Sequence, residues 1–101
     1  MYNLHPGFTI SPVPSKVGEK CKIRYHGLLA TSGADQVWLR TGYGTGPWQN
    51  IYDYRMNKAG PTEWEQTVEI TREGQFNFCF KDSANNWDNN NGLNWSYTIR
   101  R

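Results

Sequence analysis

One hundred and one residues are enough for a single domain, since domains commonly run about 100–150 residues, and leave little material for a second lobe. Eleven Lys and Arg against nine Asp and Glu give a formal charge of +2, too near neutral to imply nucleic acid or an anionic membrane as partner. No stretch approaches the roughly 18 apolar residues of a membrane span. Aromatic residues nevertheless make up 15% of the chain, with five Trp and six Tyr, at a mean hydropathy of −0.81. That is more rings than the aliphatic content needs for a core, so some belong at the surface, where exposed rings usually mean binding.

Gly and Pro punctuate the chain so often that few intervals could hold the 10–12 residues of a real helix. The intervals alternate with period two instead. An extra edge strand is expected near 8–13. Cys21-Lys22-Ile23-Arg24-Tyr25 alternates apolar with basic and predicts a strand near 20–26. Val37 and Leu39 point one way and Trp38 and Arg40 the other in a strand near 36–42, followed by one near 50–56. Trp64, Gln66, Val68 and Ile70 share a face in 63–71, and Phe76, Phe78 and Phe80 oppose Asn77, Cys79 and Lys81 in 74–81. A last strand is expected near 94–100. Arg72-Glu73-Gly74 suggests a tight hairpin between two of these, with Gly74 free to take positive φ. Short strands with frequent turns predict an all-β fold: one antiparallel, immunoglobulin-like β-sandwich spanning 1–101, its core about 17–100.

Both cysteines, Cys21 and Cys79, fall inside strands, which favours buried free thiols over a disulfide scaffold. Met1–Ile10 has no basic start followed by an apolar run, so no secretory signal is visible there.

The segment from Lys81 to Trp95 joins two strands and sets Trp87 among Asn85, Asn86, Asp88, Asn89 and Asn90. Short amide and carboxylate side chains suit a solvated turn, but turns seldom include an indole with polar neighbours on both sides, which favours a binding loop. The chemistry fits a sugar. A pyranose has apolar C–H faces for an indole to cover and a rim of hydroxyls for Asn and Asp to meet. Trp48, in the Gly42–Trp48 loop, offers a second ring, and Trp38, on the polar side of its strand, a third. Trp64 and Trp95 lie in phase with apolar faces and are expected in the core.

The run F-N-F-C-F-K-D-S-A-N-N-W-D-N-N-N-G-L-N-W-S-Y over 76–97 resembles the signature of starch-binding carbohydrate-binding modules of families 25 and 53. Upstream, Ile23-Arg24-Tyr25-His26-Gly27 is similar to their first strand. Val37-Trp38-Leu39-Arg40, with Gly42-Tyr43-Gly44 and Trp48, resembles their ring-bearing strand and loop. The likeness covers about 17–99. It implies an immunoglobulin-like sandwich that binds α-1,4-glucans (starch, glycogen, maltooligosaccharides) without catalysis, on a platform of two or three rings. Trp87 and Trp48 match the family's rings, and Trp38 falls where some members carry His or Tyr. Asn85, Asn86, Asp88, Asn89 and Asn90, with Lys81, are then expected around the hydroxyls. The resemblance leaves open whether the module works alone or is fused to or associated with a glucan-acting enzyme. The cytoplasm is favoured if Met1 is the native start, and the outside of the cell if the module comes from a secreted amylase. Three rings at about 0.5–1.5 kcal/mol each, with a few hydrogen bonds at about 1 kcal/mol, predict roughly micromolar to millimolar affinity.

Other chemistries fare less well. Asp82 and Asp88 could be imagined as a glycosidase pair, but no deep pocket is expected to raise the pKa of either. Asp88, Asn90 and Gly92 echo part of a calcium loop without its closing Glu, so no cofactor is expected beyond a possible structural calcium. No zinc spacing exists among Cys21, Cys79, His5 and His26, and His26 is expected at the surface. Asn94-Trp95-Ser96 matches a glycosylation acceptor. A protein partner for the same exposed rings is the alternative from a different class. A nucleic-acid groove would need more basic residues than Lys81 beside Asp82 and Asp88.

Overall fold

A computed structural model describes residues 7–101; Met1–Pro6, including His5, lie outside the described residues. The chain forms β1 (Phe8–Ser11), β2 (Lys20–Tyr25), a single-turn α1 (Leu28–Thr31), β3 (Val37–Tyr43) and β4 (Gln49–Arg55). It continues with β5 (Asn57–Gly60), β6 (Glu63–Glu69), β7 (Gly74–Asp82), the two-residue β8 (Trp87–Asp88) and β9 (Trp95–Ile99). One sheet runs β1-β2-β6-β5; the other runs β4-β3-β7-β8, with β9 pairing β7. All these pairings are antiparallel. Four strands ordered as A-B-E-D facing C′-C-F-G is the arrangement of an immunoglobulin-like sandwich, so the predicted fold class is the one observed.

The period-two residues meet in the middle. Ile23 and Tyr25 from β2, Val37 and Leu39 from β3, Val68 from β6 and the three phenylalanines of β7 are all at most 2% exposed. Phe78 lies at 6.1 Å from Trp95 with nearly parallel planes, and Tyr25 stacks on Phe80 at 4.2 Å. Trp64 and Trp95 are buried, as their phase requires. Cys21 and Cys79 are buried free thiols, and burial pushes both up to about 11.

The segment Arg72–Gly74 is not the hairpin its composition suggests. β6 pairs with β2 and β5, whereas β7 pairs with β3, β8 and β9, so this segment crosses from one sheet to the other. The largely apolar row of Trp64 and Val68 in β6, continued by Ile70, and the phenylalanine row of β7 pack face to face across the core instead of side by side within one sheet. The crossing is anchored by Ile70, whose N–H donates to the Glu19 carbonyl and whose own carbonyl accepts from Gly18, both at 2.8 Å. The Thr71 N–H then donates to Tyr43 Oη at 3.1 Å. Gly74 does take a positive φ, +105°. The strand expected over 50–56 ends one residue earlier, because buried Met56 turns the chain into β5 of the opposite sheet.

Candidate functional site

The outer face of β3 and β7 carries the side chains in antiphase with the core. β3 places Trp38 opposite Lys81, Arg40 opposite Cys79 and Gly42 opposite Asn77, and β8 places Trp87 on the other side of Lys81. Trp38, Lys81 and Trp87 therefore form one row across three strands. The Lys81 ammonium sits between the two indoles, 4.7 Å from the Trp38 ring centre and 5.8 Å from that of Trp87. Trp87 is 37% exposed, while Trp38 and Trp48 are half-buried.

Arg40 was visible in the sequence as the outward neighbour of Trp38, but its part in the site was not. Its guanidinium lies over the Trp87 ring at 4.9 Å and is gripped from the other side by Asp53 of β4, with Nε–Oδ1 at 2.7 Å and Nη2–Oδ2 at 2.9 Å. This two-point hydrogen bond raises the Arg40 pKa and lowers that of Asp53. Trp87 thus stands on a sheet edge only two residues long, braced by Arg40 and Lys81.

Trp48 reaches the same face from its loop by lying on Gly42. A Cβ at Gly42 would fall 2.6 Å from Trp48 Cε3 and 2.8 Å from its Cβ, so only glycine lets the ring settle there. Gly42 and Arg40 are successive outward positions of one strand, about 7 Å apart, and this sets Trp48 beside the Arg40–Trp87 stack. The residues under these rings show the effect. Asn77 and Cys79 point away from the core yet are only 2% and 3% exposed. Asn77 is satisfied there by Gly44 O, to which its Nδ2 donates at 2.9 Å, and by Gln75, whose Nε2 donates to its Oδ1 at 2.7 Å.

The Asn-rich loop builds itself first. Buried Asp82 accepts the N–H groups of Ala84 and Asn86 on Oδ1 at 3.0 and 2.8 Å, and Asn86 Nδ2 on Oδ2 at 3.0 Å. Burial acts to raise the Asp82 pKa, but these donors outweigh it and hold the carboxyl below its ordinary value. Ser83 Oγ donates to Asp35. Asn85, Asn90, Asn91 and Asn94 all take the left-handed conformation, with φ of 66°, 56°, 56° and 58°, a backbone that asparagine tolerates better than most residues. Asn89 Oδ1 accepts from Gly92 N–H, and Asn90 Nδ2 donates to Asn94 O, both at 3.0 Å.

Of the residues singled out from the sequence, Trp38, Trp48, Trp87 and Lys81 share the outer face. Asn85 and Asn86 are exposed at the start of the loop. Asp88 pairs with Phe80 rather than Lys81 and so points to the opposite side of β8 from Trp87. There it accepts a 2.6 Å hydrogen bond from Tyr25 Oη. With Asn90 and His26 it borders a separate cleft beside α1. Among the described residues no group of three or more His, Cys, Asp or Glu is placed to hold a metal ion, and no helix is long and apolar enough to cross a membrane.

Residues 21–78 match the family model described as a starch/carbohydrate-binding module, family 53. The chain belongs to this family. The matched span includes Trp38, Arg40, Gly42 and Trp48 and stops before Lys81 and Trp87. Neither curated proteins nor solved structures give a match. Membership makes the module a carbohydrate-binding unit of the starch-binding type.

Proposed function

We propose that the module binds α-1,4-glucan chains (starch, glycogen or maltooligosaccharides) non-catalytically on the outer face of its five-stranded sheet. The observation that carries this is the assembly of Trp38, Lys81, Trp87 and Trp48 on one surface, where the core needs none of them. Trp48 and Trp87 cover pyranose C–H faces, with Trp38 as a third ring at the far end of the row. Lys81 has ammonium protons to donate to ring hydroxyls. Asn85 and Asn86 stand at the rim with exposed side chains, whereas Asp88, Asn89 and Asn90 act chiefly by holding the turn that presents Trp87. Carriage on, or association with, a glucan-acting enzyme would raise the modest affinity of one platform through effective concentration.

The test is titration with maltoheptaose, followed by tryptophan fluorescence and calorimetry, with a cellulose oligosaccharide as control. Saturable binding to maltoheptaose alone is expected, and Trp87→Ala should remove most of it while the thermal unfolding transition persists. Equal binding of both sugars would overturn the α-glucan assignment. Silence towards both, with binding transferred to a protein, would overturn the platform itself.

A further inference from the structure

β4 carries a second set of rings that the platform does not use. Along this edge strand, Asp53 and Arg55 lie opposite Arg40 and Trp38 on the platform side, whereas Tyr52 and Tyr54 lie opposite Thr41 and Leu39 and so on the other side. On an interior strand those inward positions would be covered by the facing sheet. At the edge the cover is incomplete: Tyr52 is 59% exposed, while Tyr54 packs partly against the core. The two tyrosine rings meet edge to face, centres 4.5 Å apart and planes at 67°. They wall a cleft of about 340 Å³ whose polar rim comes from Asn50, Glu69 and Thr71.

The rim is already positioned. Asn50 is held by Arg72, whose Nη1 donates to its Oδ1 at 2.9 Å, and Thr71 is fixed through Tyr43. Neither the Tyr52 hydroxyl nor the Glu69 carboxylate has a hydrogen-bond partner among the described residues. Exposed ring faces bordered by a carboxylate, an amide and hydroxyls form the same combination that suits a sugar on the platform. The charges of Asp53 and Arg55 on this edge work against pairing with a strand of another chain, which favours a glycan over a second copy.

We propose that this cleft is a second saccharide-binding site, taking a separate stretch of the α-glucan held by the platform; it rests on the α-glucan assignment above. The angled tyrosine pair suits a chain whose successive α-linked rings turn. Because alternation sets the two sites on opposite sides of β4, a short oligosaccharide occupies one or the other. A long or branched polymer engages both and gains from effective concentration.

The experiment compares wild-type, Tyr52→Ala and Trp87→Ala modules against maltoheptaose and against soluble amylopectin. Tyr52→Ala should bind maltoheptaose at the platform with unchanged tryptophan fluorescence response, which also shows that it is folded, yet bind amylopectin about tenfold more weakly. In Trp87→Ala, maltoheptaose should still shift the NMR resonances of Tyr52 and Thr71. Unchanged amylopectin affinity in Tyr52→Ala overturns the site, as do static Tyr52 and Thr71 resonances in Trp87→Ala. A concentration-dependent dimer in sedimentation that Tyr52→Ala abolishes overturns it in favour of self-association. Failure of the α-glucan assignment is seen separately, as a wild-type module whose tryptophans do not respond to maltoheptaose at all.

Discussion

Gly42→Ala tests the platform without touching a ring. The added methyl would lie 2.6, 2.8 and 3.0 Å from Cε3, Cβ and Cδ2 of Trp48, where ordinary carbon contacts are about 3.5–4.0 Å. The indole must retreat by roughly 1 Å. Since Trp48 Cβ is among the atoms struck, turning the side chain does not suffice and the backbone entering β4 has to move. Overpacking of this kind costs about 1–3 kcal/mol, and the lower end applies here because the contact lies on the outside of the sheet. If the displaced ring forfeits its share of sugar contact, about 0.5–1.5 kcal/mol, the maltoheptaose Kd rises about two- to twelvefold. Calorimetry on Gly42→Ala, Trp48→Ala and the double variant provides the assay. Once the ring is gone the methyl strikes nothing, so the double variant should bind no worse than Trp48→Ala. Wild-type affinity in Gly42→Ala, or losses that add in the double variant, would refute the placement of Trp48 on Gly42 as part of the site.

Two further outcomes follow from the loop. The Asp82 pKa is depressed in the fold, so its contribution is complete above the ordinary aspartate value of about 3.9 and is lost as pH falls through the lower folded value. The amide resonances of Ala84 and Asn86 should accordingly stay put from neutral pH down to about 4 and move only below it; movement at higher pH would show that the hydrogen bonds do not dominate. A chelator should leave both the melting temperature and the maltoheptaose affinity unchanged, because Asp88 and Asn90 are engaged with Tyr25 and Asn94. A fall in either that calcium restores would establish an ion in the loop.

The strands were legible because alternation is a local signal. Cys21 to Tyr25 and Phe76 to Phe80 announce their inward faces residue by residue, and Trp64 and Trp95 follow the same phase into the core. Alternation does not say which strands lie side by side, and for that reason Arg72–Gly74 looked like a hairpin although it passes between sheets. The helical turn at Leu28–Thr31 is too short to leave a period, and no side chain caps it. At the site, Trp38, Trp48 and Trp87 stood out as rings without a core role. Arg40 did not, since its importance lies in a stack on Trp87 from 47 positions away and in the Asp53 carboxylate across the β3–β4 ladder. The asparagines suggested both a turn and a sugar rim, and four of them spend their conformational freedom on the turn.

The brace of Arg40 and Asp53 against Trp87 also bears on how quickly the module lets go. The guanidinium is already paired and stacked, so an uncharged sugar meets no free arginine to draw it in and few loose side chains to freeze. Encounter should then proceed at the unsteered pace of about 10⁵–10⁶ M⁻¹s⁻¹, with little response to salt. Combined with micromolar to millimolar affinity, such a rate gives a stay of about a millisecond to some ten seconds on any one stretch of chain. On the proposed reading, a surface of this kind samples a polymer by repeated brief landings and is not pinned to one spot.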